Sequence, residues 1–253
     1  MSGRLIGLGT GPGDPELLTL KAVRALAAAD VVAFFAKRGR ASNARRIVDG
    51  LLRPDAVELP LAYPVTTELP VSDAGYRTAI DGFYETAAAA VAAHLEAGRT
   101  VAVLSEGDPL FYGSYMHLHV RLAGRFPTTV IAGISAMAGA WSAAGLPIVQ
   151  GDDVLSVLPG TLDEETLCRR LRESEAIVIM KVGRNLPAIR RALARAGRLE
   201  AAVYVERGTM AGERRLRLAD KGDDEAPYFS LVLVPGWVAR PGAAALSHAA
   251  GGQ

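Results

Sequence analysis

The chain has 253 residues, 50% of them hydrophobic, which is enough to bury a substantial core and too apolar for a mainly disordered chain. Its 28 Lys and Arg against 27 Asp and Glu leave a net charge of +1, so no global field draws it to nucleic acid or an anionic membrane. One cysteine, Cys168, excludes an internal disulfide and a four-thiolate metal site, and in its polar helix-like setting it reads as a small buried thiol.

The opening MSGRLIGLGTGPGDP is broken by Gly and Pro and lacks the apolar stretch of a signal peptide. No apolar run approaches the roughly 20 residues of a membrane span. The expectation is a cytoplasmic protein.

Short apolar runs alternate with amphipathic stretches over residues 4–206, the rhythm of an α/β protein with parallel pairing. Residues 4–8 read as a first strand, followed by a Gly-rich turn. A helix is expected over 15–29, with Leu18, Ala22, Ala25 and Ala29 on one face. Residues 30–35 form the second strand. The longest helix is placed at 76–96, where Tyr76, Ile80, Phe83, Ala87, Val91 and Leu95 keep helical spacing and Gly98 follows the end. A buried strand at 100–104 runs into the turn SEGDPLFYGSYM and a further amphipathic segment.

Phe126 and Pro127 interrupt the pattern, and the expected division is an N-terminal α/β domain at 1–124 and a C-terminal one at 125–240, with a disordered tail at 241–253. In the second domain, strands are expected at 129–131, 153–158 and 176–181, with helices at 135–144, 164–172 and 186–196. Residues 201–206, 214–218 and 228–234 follow with no helix-length segment between them. Antiparallel pairing joins such strands, so the second sheet should be mixed.

The turns carry the chemistry. GLGTGPGDP places Gly7, Gly9, Gly11 and Gly13 at alternate positions after a strand, which invites a dinucleotide-binding reading. The spacing refuses it, because the sixth position of G-x-G-x-x-G is Pro12 counted from Gly7 and Asp14 counted from Gly9. The Lys-Ser or Lys-Thr of a P-loop is also missing. Asp14 and Pro15 suit a helix start, as cap and first helical residue, and Gly107-Asp108-Pro109 repeats the device. Capping alone accounts for both aspartates. Turns at the carboxyl ends of parallel strands are nevertheless where α/β proteins bind ligands.

GTGPGDPELLTLKA at 9–22, EGDPLFYGSYM at 106–116 and AGISAMAGAWSAAGLPI at 132–148, followed by an IVIMK strand and a VERGT segment, resemble the ordered signatures of the tetrapyrrole (class III) methyltransferases. The resemblance covers residues 4–237. It implies two α/β domains with S-adenosyl-L-methionine in the cleft between them, a homodimer, and no metal. By position, it implies cofactor contacts at Pro12, at Glu106, Gly107 and Asp108, at Ser135 and Ala136, at Met180, at Gly208 and Thr209, and at Ser230 and Leu231. Met180 read by itself is a core residue closing a strand. Many relatives carry Gly or Leu where Glu106 stands, so the contact implied there is through its backbone. Relatives often have Pro in place of Ala132.

KVGRNL at 181–186, YVERGTM with Glu213, and GDDVLSVLPG at 151–160 are similar to the branch that methylates carbon 20 of precorrin-2 on the route to cobalamin. Its substrate carries acetate and propionate groups that need cationic partners. Lys181, Arg184 and Arg207 border the implied cofactor segments and are the substrate-binding candidates. Lys37, Arg38, Arg40, Arg45 and Arg46 form a second basic cluster, which also reads as a solvated loop.

Methyl transfer to an electron-rich carbon asks mainly for alignment, so no catalytic residue is assigned. Of His94, His117, His119 and His248, the pair after the second Gly-Asp-Pro turn is the better place to seek a base. A cobalt-bearing substrate, cobalt-factor II, and another precorrin carbon stay open. So do a nucleotide-dependent oxidoreductase and a non-catalytic binding module. No nucleic-acid or membrane partner is expected.

Overall fold

The computed structural model describes residues 2–64 and 74–239. The tail expected at 241–253, His248 and the Tyr76 side chain lie outside them. The chain divides into two compact units, Met1–Ala136 and Met137–Gln253.

The first unit is built on five parallel strands: β1 (Arg4–Gly9), β2 (Val31–Lys37), β3 (Val57–Tyr63), β4 (Thr100–Ser105) and β5 (Thr128–Ile131), in the order β3-β2-β4-β1-β5. Period-two alternation sends their side chains to two buried layers. Leu5, Val31, Ala33, Val101 and Val103 pack under α3 (Ala74–Glu96) and α4 (Tyr115–Leu122). Ile6, Leu8, Val32, Ala102 and Leu104 pack under α1 (Leu20–Ala28) and α2 (Asn43–Ile47). The chain leaving β1 crosses one face by α1, whereas the chain leaving β4 crosses the other by α4. Adjacent strands whose connections part in this way open a crevice at their carboxyl ends, where α/β sheets bind ligands. β3 is an edge strand with Pro60 in its middle, a residue with no N–H to offer.

The second unit carries α5 (Ala136–Ala144), which begins at its boundary, then β6 (Leu155–Pro159), α6 (Glu164–Glu173), β7 (Ala176–Met180), α7 (Leu186–Arg195), β8 (Val203–Glu206), β9 (Arg214–Arg217) and β10 (Ser230–Val234). Its sheet runs β6-β7-β10-β8-β9, with β6 and β7 parallel and the remaining pairs antiparallel. The expected mixed sheet is therefore present. Ile177, Ile179, Tyr204, Val232 and Val234 meet α6 and α7, where Cys168 is buried, while Val178, Val205 and Leu233 face α5. The edge strand β9 reads RRLR.

Several expectations change. The helix expected over 15–29 is a 3-10 turn at Pro15–Leu17, capped by Asp14, followed by α1 with Thr19 as its own cap. Leu18 is extended, at φ −66° and ψ 138°, and breaks the two apart. Two elements, α2 and β3, were not foreseen. The strand expected to open the second domain is β5, which pairs with β1, so the compact units meet at 136/137 rather than at 124/125. Among the described residues no helix is long and apolar enough to cross a membrane.

Candidate functional site

In the first unit the loops after β1, β4 and β5 are held together by backbone contact. Thr10, fully buried, donates from both its N–H and its hydroxyl to the Ser105 carbonyl, at 2.8 and 3.2 Å. Gly11 and Gly107 exchange N–H···O bonds of 3.4 and 2.8 Å, with φ of 75° and 64°. Both conformations favour glycine.

Gly9 and Gly133 serve a different need, close approach. A Cβ on Gly9 would stand 2.5 Å from the Gly133 nitrogen and 2.7 Å from the Gly107 oxygen. Asp108 completes the weld, since Oδ1 accepts from Leu110 N–H at 2.9 Å and Oδ2 from Gly133 N–H at 3.2 Å. Asp14 caps a helical turn as expected, whereas Asp108 caps no helix: it holds its own turn through Leu110 and reaches across to the loop at Gly133, and α4 starts later, after Ser114. Gly7 is glycine for packing, because a Cβ there would overlap the Tyr115 ring.

The expected residues of this unit come together. The position of a Cβ on Gly107 lies 3.4 Å from Ala136 N and 3.6 Å from Ser135 Cα, and Pro12 is half-buried beside Gly11. Glu106 has its carboxylate near the start of α2, where the Asn43 side chain and Ala44 N–H favour its ionised form. Solvent reaches the residue, yet protein surrounds the carboxyl closely enough that burial pushes its pKa up, outweighing those two neighbours.

The histidines have local work. His117 stacks on Tyr84 with centroids 3.9 Å apart, and burial followed by the Arg121 charge holds its pKa down. His119 Nδ1 meets the Tyr115 hydroxyl at 3.1 Å, and His94 meets Arg99 at 3.0 Å.

In the second unit, β7 ends on half-buried Met180, which packs with Met137, Trp141, Leu155 and Val157 against the cluster containing Leu231. Its carbonyl accepts from Gly160 N–H at 2.6 Å, and Lys181 follows at φ 56°. Ser230 lies opposite Glu206. The Ser230 hydroxyl meets the Tyr204 hydroxyl at 3.0 Å, Tyr204 donates to Glu206 at 3.0 Å, and Arg207 closes the chain on Glu206 at 2.9 Å. Burial, the largest influence, pushes the Tyr204 hydroxyl up to about 12.

The loop after β8 is strained. Arg207 and Thr209 have φ of 49° and 66°, and for a β-branched residue such as threonine this is a true outlier. The Thr209 N–H is held by Glu213 at 2.8 Å, while Gly208 presses on α5, its Cβ position 3.3 Å from Ala140 Cα. The Thr209 hydroxyl is buried and meets no hydrogen-bond partner. Arg184 stands exposed in the 3-10 turn Gly183–Asn185.

Among the described residues, the non-glycine positions with positive φ are Tyr112, Lys181, Arg207 and Thr209. All four fall in segments singled out from the sequence, and strain of this kind collects at ligand sites. The orphaned Thr209 hydroxyl is free to meet a polar group of a ligand. Thr10, Gly133, Asn43 and Tyr204 were not foreseen. Their roles depend on contacts between distant segments, which carry no local mark.

Parallel strands with glycine-lined carboxyl-end loops, together with a mixed second sheet ending in strained loops, describe a ligand-binding two-unit α/β protein. The chain belongs to the Tetrapyrrole (Corrin/Porphyrin) Methylases, whose family model matches residues 4–220.

It is 72% identical over 239 residues to a precorrin-2 C(20)-methyltransferase of Sinorhizobium sp, covering 94% of this chain and 98% of the relative. It is 30% identical over 237 residues to a cobalt-precorrin-2 C(20)-methyltransferase of Salmonella typhimurium, covering 92% and 97%. In fold it resembles the X-ray structure of a cobalt precorrin-4 methyltransferase, with a TM-score of 0.70 at 21% identity, covering 94% of this chain and 96% of that one.

Proposed function

We propose that this protein transfers the methyl group of S-adenosylmethionine to carbon 20 of precorrin-2 in cobalamin biosynthesis, giving precorrin-3A. The observation that carries the reading is the 72% identity to a precorrin-2 C(20)-methyltransferase over nearly the full length of both chains. The weaker likeness to the enzyme named for the cobalt-bearing substrate, at 30%, favours the metal-free ring.

In the first unit Pro12, the backbone of Glu106 and Gly107, Asp108 through its loop, Ser135 and Ala136 would hold the cofactor. In the second, Met180 and Leu231 would offer apolar surface, and Gly208, Thr209 and Ser230 polar contacts. The cofactor supplies a methyl group already activated on a sulfonium. The protein's task is then to align that group with the carbon nucleophile and exclude water, which accelerates transfer without a dedicated nucleophile.

Lys181, Arg184 and Arg207 would face substrate carboxylates. Arg207 already shares its charge with Glu206, so Arg184 should contribute more. No side chain is assigned as base, and water suffices for the proton left on the methylated carbon. The active form is read as a cytoplasmic homodimer.

Incubation with methyl-labelled cofactor and either precorrin-2 or its cobalt complex, followed by location of the label, tests the reading. Label at carbon 20 of the metal-free ring is expected. Label elsewhere, or on the cobalt complex alone, would overturn it. Arg184→Ala should raise the substrate KM and leave cofactor affinity unchanged.

A further inference from the structure

We propose that a groove of the first unit, floored by Phe34, Ala36, Pro60 and Ala62 and rimmed by guanidinium groups, binds the peripheral acetate and propionate carboxylates of the tetrapyrrole. The proposal rests on the functional reading above and names a substrate subsite within it.

The groove encloses about 490 Å³. Its floor is formed by Phe34 and Ala36, which share one face of β2 and are only partly buried. Pro60 and Ala62 of the edge strand extend that face. Past β2 the chain turns tightly, with Arg40 N–H donating to the Lys37 carbonyl at 2.9 Å. The turn brings Arg38 and Arg40 to one rim, and Arg46 lines the groove from α2.

Two carboxylates line the groove, and one arginine engages both of them. Arg45 reaches Glu58 through Nε and Nη2, each at 2.8 Å, and Asp49 through Nη1 at 3.1 Å. Arg38, Arg40 and Arg46 are left with no ion pair or side-chain hydrogen bond among the described residues. Most other arginines, such as Arg53, Arg121, Arg190 and Arg195, have a carboxylate in reach. An excess of planar donors around one hollow suits several carboxylates, each taken by a fork of two N–H groups.

The floor decides between anions. Inorganic phosphate has no apolar surface to set against Phe34 and Pro60, whereas a tetrapyrrole offers an apolar ring bordered by carboxylates. Position agrees as well. β2 neighbours β4 at the strand spacing of about 4.8 Å, so the turn after β2 lies close to the Glu106–Gly107–Asp108 loop. The start of α2, at Asn43 and Ala44, lies beside Glu106 of that loop. One macrocycle is broad enough to reach from the groove to the loop.

Fluorescence titration with uroporphyrin III, a stable tetrapyrrole with eight carboxylates, tests the groove. The variant Arg38→Ala/Arg40→Ala/Arg46→Ala should bind at least tenfold more weakly than the unaltered protein and show a shallower dependence on salt. Its circular dichroism and its affinity for S-adenosylhomocysteine should be unchanged. The corresponding triple Lys variant should fall between, because it keeps charge and loses the forks. Equal porphyrin affinity in the Ala variant, or no binding by the unaltered protein, overturns the proposal.

Methyl transfer to precorrin-2 is scored separately. Binding through the arginines without transfer would refute the functional reading and leave the groove, while transfer with an unchanged KM in the Ala variant would refute the groove alone.

Discussion

Replacing Gly9 with alanine tests the weld between the loops of the first unit. Its φ is outside the left-handed region, so alanine adds no backbone strain and the effect is purely steric. The new methyl would stand 2.5 Å from Gly133 N, 2.6 Å from Gly133 Cα and 2.7 Å from the Gly107 oxygen. These are all backbone atoms, and ordinary carbon contacts begin near 3.5 Å. The loops after β4 and β5 must therefore retreat by about 1 Å.

That retreat stretches the Gly11–Gly107 pair and the Asp108–Gly133 bond, which start at 2.8, 3.4 and 3.2 Å, beyond useful range. Three hydrogen bonds at about 1 kcal/mol each give a loss of roughly 3 kcal/mol, which is also the upper range of overpacking penalties. In a domain of this size the melting temperature should fall by about 10 °C. Gly124→Ala is the control, since a Cβ there meets nothing within 4 Å. Thermal and urea unfolding would be compared for both variants, with calorimetric titration of S-adenosylhomocysteine alongside. Affinity should drop more than tenfold for Gly9→Ala only. A Gly9→Ala protein that melts within about 2 °C of the parent would refute the close approach.

Three further outcomes are expected. Gly82 lies inside α3 with open space around its Cβ position, so Gly82→Ala should stabilise by about 0.5–1 kcal/mol in urea unfolding. Thr209→Gly should relieve the backbone at φ 66° and stabilise by about 1 kcal/mol while weakening cofactor binding in the same titration. Glu106 has its pKa raised by burial, so its contribution to stability is full in acid and is lost as pH rises through the folded-state value. Glu106→Gln should therefore gain on the parent as pH increases, and parallel urea stability profiles from about pH 4 to about pH 8 would count against it.

What could be read from the chain follows the physics of each element. β1 and β4 were visible because strands buried on both faces are continuous apolar runs, here LIGL and VAVL. α2 is too short to establish a period, and Pro60 in VELPLAY argues against a strand unless that strand is at an edge, which order in a sheet alone decides. The place of β5 beside β1 leaves no local trace, and with it went the boundary.

The loops of the site announced themselves through Gly, Asp and Pro. Their mutual contact did not. Gly7 looked like part of a phosphate loop and is explained by the Tyr115 ring beneath it, while the unpartnered Thr209 hydroxyl depends on burial that no single residue encodes.

The outer strands β3 and β9 bear on how copies of the chain can associate. A bare rim of N–H and C=O groups invites another chain to extend a sheet. Pro60 removes one of the donors such an arrival would need, and Arg214 and Arg215 set like charges against a second copy of β9, Arg217 being paired with Asp220. At these two rims, continuous sheets spanning several molecules are disfavoured, so recognition between copies there would have to proceed through side chains rather than through shared ladders.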